Sequence, residues 1–116
     1  MVSSAVKLAE KYFELSNHGD LDSIEQLFTE SSTYSSQNTG VFFGCQDIMS
    51  MMRSFFESFE TLEWQIKELK EEKPGVVHIE FVMTGKTMTG EEVTHDGHEY
   101  VIVESGTLRH IDVRNH

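Results

Sequence analysis

One cysteine and one proline in 116 residues leave little to staple or to break. Cys45 has no intrachain partner for a disulfide, so the fold must rest on its core. Pro74 sits beside Gly75 and marks a turn rather than a linker. No apolar run approaches membrane length, and MVSSAVKLAEKYF lacks the basic start and apolar stretch of a secretory leader. A cytoplasmic protein with no membrane partner is the expectation. Positive charge is also scarce. Nine Lys and Arg against twenty Asp and Glu give a net charge of -11, which repels phosphates and argues against nucleic acid. No internal repeat, Gly-rich phosphate loop or nucleophile signature is present, so nucleotide and acyl-transfer chemistry lack support.

What remains is ordinary globular material, 38% hydrophobic and 25% charged, of a length that suits one domain spanning 1–116. Ala5, Leu8, Ala9, Tyr12 and Phe13 recur at helical spacing, and Asn17-His18-Gly19 stops that helix. Asp20 or Asp22 caps a short second helix whose buried face is Leu21, Ile24, Leu27 and Phe28. Asp22 with Glu25 fits a capping box. Tyr34 to Gln37 is extended, a turn follows at Asn38-Thr39-Gly40, and Val41-Phe42-Phe43 is a short strand. A third helix after Asp47 carries Ile48, Met52, Phe55, Phe56 and Phe59 on one side, widened by Met49 and Met51. Such a face is either core or an adaptable pocket lining.

The second half is β-rich. Thr61 to Glu72 alternates like a strand at Leu62, Trp64 and Ile66, yet its Glu and Lys content favours a helix locally. Val77, Ile79, Phe81 and Met83 alternate clearly. Gly85 and Gly90 frame a hairpin into a strand over about 93–104, with His98, Tyr100 and Ile102 on one face and Glu99, Val101 and Val103 on the other. Ser105-Gly106 turns into a last strand in which Ile111 and Val113 share a face. Both sheet faces are partly apolar, so one is expected to cover the helices and the other a second copy of the chain, giving a homodimer through the outer face.

Tyr12 followed by NHGDLDSIEQLFTESSTY, then GCQDIMSMMRSFF from Gly44, then HEYVIVESGTLRHIDV from His98, resembles the nuclear transport factor 2-like superfamily. Ketosteroid isomerase and the SnoaL-like polyketide cyclases belong to it. The resemblance implies an α+β, cystatin-like cone: a curved mixed or antiparallel sheet wrapped around three helices from the N-terminal half, usually homodimeric. It implies that Thr61 to Glu72 is mostly strand. It also implies a concave face that includes Ile79 or its neighbours, Tyr100, Ile102, Ile111 and Val113, and such superfolds host many unrelated functions. The isomerases use a first-helix tyrosine and a protonated aspartic acid to hold an enolate oxygen, while another aspartate moves the proton. By that resemblance Tyr12 matches the tyrosine, Ser36 stands in place of the base, and His98 in place of the acid. A serine there removes the base, which costs ~10²–10⁴-fold in rate, so steroid isomerisation is not expected.

The candidate catalytic group is therefore Tyr12, His98 and Asp96, with Phe13, Phe55, Phe59, Tyr100, Ile102, Ile111 and Val113 as candidate ligand contacts. His98 would anchor a ligand oxygen, act as acid or base, or be a core histidine satisfied by Tyr12. Asp96 would orient it, or lie toward solvent with Thr94. His95 and His98 fall on opposite faces of a strand, so no metal ion is expected there, and no cofactor is implied. Cys45 would be an activated helix-start thiol or a spectator. No histidine near it in sequence offers a base, which favours the spectator. The resulting expectation is a pocket for a small apolar or amphipathic molecule, with isomerase, cyclase or hydratase-type chemistry open. The alternative is a non-catalytic dimerisation or partner-binding module of the same fold.

Overall fold

Residues 3–116 are described by a computed structural model. Helix α1 (Ser4–His18) starts where Ser3 Oγ accepts the Val6 N–H at 3.1 Å and buries Ala5, Ala9, Tyr12 and Phe13. It stops at Gly19, whose φ of 67° is left-handed and lets its N–H close back on Leu15 and Ser16. Asn17 does more than end the helix. Its side chain accepts the Trp64 N–H at 2.7 Å and donates to the Trp64 carbonyl at 3.0 Å, tying α1 to a strand 47 residues away.

Helix α2 (Leu21–Glu25) is capped by Asp20, which accepts from Ser23 N–H. The Asp22/Glu25 capping box does not form. Both carboxylates instead face Arg53, at 3.5 and 2.8 Å. Helix α3 (Cys45–Glu57) has no side-chain cap at Gly44, and Asp47 in its first turn accepts the Phe43 N–H. Phe59 lies beyond this helix and opens a strand, because Ser58 already caps it.

Six strands form one curved mixed sheet: β1 (Thr33–Ser36), β2 (Gly40–Phe43), β3 (Phe59–Lys73), β4 (Val76–Thr87), β5 (Glu92–Glu104) and β6 (Thr107–Asn115), in the order β2-β1-β6-β5-β4-β3. Segment 61–72 is thus strand, since long-range pairing with β4 and the inward set Leu62, Trp64 and Leu69 outweigh local helical preference. All pairings are antiparallel except β1 with β6, which is parallel. β3 carries three register irregularities, and β5–β6 one, where Ile102 faces His110 but Val103 faces Leu108. Bulges of this kind bend a sheet. Gly97 allows a closer approach than any other residue would: a Cβ there would stand 2.6 Å from the Arg114 carbonyl oxygen and 3.2 Å from the Phe81 ring.

The core lies between the helices and the concave face. Ala9, Ile24 and Ile48 pack with Val77, Ile79, Val101, Leu108 and Ile111, all without exposed surface. Each such aliphatic side chain is worth roughly 1.5–3 kcal/mol of burial. The register corrects the expected phase of β5. Ile79 faces Glu99 and Val77 faces Val101, so Gly97, Glu99 and Val101 point inward. His98, Tyr100 and Ile102 therefore belong to the convex face, as does Asp96, because alternate residues of a strand take opposite sides.

Candidate functional site

Where the helices do not fill the curve of the sheet, a cavity of about 250 Å³ remains. Tyr12, Phe13 and Ser16 of α1 form one wall, and Met51, Met52, Phe55 and Phe56 of α3 another. The sheet contributes Tyr34 and Ser36 from β1, Phe59 and Trp64 from β3, Phe81 and Met83 from β4, Glu99 and His95 from β5, and Val113 and Asn115 from β6. Asn38 and Thr39, in the turn after β1, complete it. Asn38 exchanges side-chain hydrogen bonds with Asn115 at 2.8 and 3.3 Å, which fixes that part of the wall.

The polar centre is Glu99. It is 4% exposed, and its Oε2 is buried with no hydrogen-bond partner among the described residues. An unsatisfied buried acceptor costs about 1–3 kcal/mol, and more if charged. The carboxyl answers by holding its proton: burial, then the negative charge of Asp112, pushes its pKa up to about 8. At neutral pH it is a neutral acid with a proton to donate. Tyr12 is held well above its ordinary value by burial, with further contributions from Tyr34 and Glu99. Tyr34 is raised by burial and then by Glu99. Both phenols stay neutral. Ser16 Oγ donates to the Tyr12 carbonyl at 2.8 Å and so is already engaged with its own helix.

Of the candidate residues from the sequence, Tyr12, Phe13, Phe55, Phe59 and Val113 line this cavity together. Ile111 is fully buried in the core and does not reach it. His98, Asp96, Tyr100 and Ile102 stand on the other side of the sheet. There His98 Nδ1 lies 3.0 Å from His78 Nε2, its ring stacks on His116 at 5.1 Å, and Tyr100 packs on His78 at 4.8 Å. His98 and Tyr12 therefore share no pocket. Reasoning from sequence passed over Glu99, Tyr34, Trp64, His95 and Asn115. The usable signal for Glu99 was the β4–β5 hairpin: centred on Thr89, it sets residue 99 opposite the clearly inward Ile79. Among the described residues no three His, Cys, Asp or Glu side chains gather as a metal site. The Cys45 thiol is pushed up, not down, by burial and then by Glu25, and it donates to the Glu25 carbonyl at 3.5 Å.

A curved mixed sheet closed on one side by helices, with a cavity between them, defines the nuclear transport factor 2-like class of α+β proteins. Within it, residues 9–111 match the SnoaL-like domain, and the chain belongs to that family. No curated protein matches the sequence. Among solved structures, the chain is similar to a nuclear transport factor 2-like protein of unknown function from Burkholderia pseudomallei, at 11% identity and a TM-score of 0.88, covering 99% of this chain and 92% of that one. It is also similar to an LEH-like epoxide hydrolase of M. tuberculosis, at 12% identity and 0.85, covering 97% and 83%. A third, TerC co-crystallised with polyporic acid, has 11% identity and a TM-score of 0.82, covering 96% and 90%. At these identities the likeness is one of fold.

Proposed function

We propose that this protein binds a compact, mostly apolar small molecule in the cavity, with the ligand's polar group held by the Glu99 carboxyl beside the Tyr12 and Tyr34 phenols. The observation that carries this reading is the unpartnered Glu99 Oε2 in the cavity wall. A chain with no use for that carboxyl would be more stable with an apolar residue there. The protonated carboxyl suits the acid half of an isomerisation, cyclisation or hydration. The His95 imidazole also belongs to the lining, further along the same strand from Glu99. That solved relatives of this fold include an epoxide hydrolase and a protein crystallised with a small organic acid supports a small-molecule role. The Phe55 and Phe59 rings, 5.1 Å apart, line the space without filling it, which favours this reading over a partner-binding module alone.

Trp64 is the single tryptophan and lies in the wall, so its emission reports entry. Titration with 2-decalone, a saturated bicyclic ketone, should change that emission saturably in the wild type and not in Val113→Phe, which fills the cavity. No saturable change in the wild type, or the same change in both, would overturn the proposal.

The convex face is the proposed contact with a second copy. One row across it runs Phe43, Thr33, His110, Ile102 and Val76, and the next Val41, Ser35, Asp112, Tyr100 and His78. Val41 and Phe43 are 61% and 71% exposed. Sedimentation should give about twice 13.3 kDa, and a strict monomer refutes this contact.

A further inference from the structure

We propose that the ligand's polar group is a cation, an ammonium or other positively charged nitrogen on an apolar body, paired with the Glu99 carboxylate and faced by the aromatic rings of the cavity. This rests on the ligand-binding reading of the same cavity. Three observations point to it. The lining holds no lysine or arginine to pair with an anion, and Glu99 is its one carboxyl. Aromatic side chains surround the space, among them Tyr12, Tyr34, Phe55, Phe59, Trp64 and Phe81. Ring faces attract cations, most strongly where water is excluded. Third, the Glu99 Oε2 is a buried acceptor without a donor on a residue of the cavity wall, and a positively charged nitrogen supplies what it lacks. The chain's net charge of -11 adds long-range attraction for cations.

The proton balance follows from the groups around Glu99. Tyr12 of α1 and Tyr34 of β1 face it as neutral phenols whose oxygens accept hydrogen bonds. Asp112 of β6 adds negative charge from the other side of the sheet, and His95 lies further along its own strand. Helix α3 and strands β3 and β4 present only Met, Phe and Trp side chains. When a free amine enters, the carboxyl O–H bond breaks and an N–H bond forms, leaving carboxylate and ammonium. When a quaternary ammonium enters, the carboxyl proton leaves to solvent. Affinity for a quaternary cation therefore rises with pH, up to tenfold per unit, and levels off above about 8, where Glu99 is already ionised. A ligand that only accepts a hydrogen bond from the protonated carboxyl shows the opposite slope.

The test uses benzyltrimethylammonium and its uncharged carbon isostere neopentylbenzene, each titrated against Trp64 emission at about pH 6 and about pH 9. Wild type, Glu99→Gln and Glu99→Leu are compared, with folding checked by circular dichroism. The expected result is at least tenfold tighter binding of the cation at the higher pH, proton release on binding at the lower pH, and loss of the preference in both variants while the isostere still binds. Equal or tighter binding of the isostere by the wild type, or a preference that survives in the variants, overturns the cation proposal and leaves the cavity reading standing. No binding of either compound overturns both.

Discussion

Replacing Glu99 by glutamine keeps the volume and a hydrogen-bond donor but removes the charge that the cavity wall resists. In the folded protein this carboxyl titrates near 8 rather than near the ordinary 4.5. Between those values the native state keeps a proton that the unfolded chain gives up. Stability therefore falls as pH rises through this window, by about 1.4 kcal/mol per pH unit at most. Below the unfolded value both states are protonated and the group contributes no pH dependence. Above the folded value the full cost is present, about 5 kcal/mol for the whole rise, and about 3–5 kcal/mol once water entering from the cavity mouth is allowed for. Glu99→Gln should match the wild type within about 1 kcal/mol near pH 4.5 and exceed it by several kcal/mol near pH 8.5. Urea titrations across this range, read as the difference between the two proteins, isolate Glu99 from every other titrating group. With m values of about 1–3 kcal/mol/M, the midpoints should separate by over about 1 M at the upper end. Parallel curves for the two proteins would show that Glu99 titrates normally and that its side chain reaches water.

His98→Ala should leave 2-decalone binding within about twofold of wild type, because the imidazole lies on the far face of the sheet; a large loss in the Trp64 titration would place it back in the cavity. Gly19→Ala has open space for its Cβ but a φ of 67°, so it should cost about 1 kcal/mol of stability in thermal or urea unfolding, and a neutral result would remove the left-handed cap from the account of α1. Ile48→Ala deletes a side chain with no exposed surface and should cost about 2–5 kcal/mol, checked by the same unfolding assay.

The architecture was legible in the sequence because its signals are local or periodic. Gly19 ends a helix, 77–83 alternates without ambiguity, and the motif resemblance resolves 61–72 as strand where local propensity points to helix. The contents of the site were harder to read, for a physical reason. In β5 both alternating sets hold large apolar residues, Tyr100 and Ile102 on one side and Val101 and Val103 on the other, so periodicity does not say which side is inward. The resemblance sets His98 where the protonated acid stands, and that is wrong here because the inward residue is the buried Glu99. Shifting the phase by one residue exchanges His98 for Glu99 and replaces the whole set of expected contacts on that strand. Tyr34 and Trp64 were hidden differently: Tyr34 lines the cavity through a pairing far along the chain, β1 with β6, and Trp64 lies in a segment whose local propensity points to helix.

The parallel β1–β6 pairing, with Tyr34 beside Ile111, sets an order of events during synthesis. β1 emerges from the ribosome early, yet the neighbour it hydrogen-bonds along one side is made 77 residues later. Until then β1 has only β2 beside it, and Tyr34 has only Phe42 of that hairpin to pack on. One side of β1 is thus an unpaired strand edge until β6 is made, the kind of edge that exposes a folding chain to mispairing.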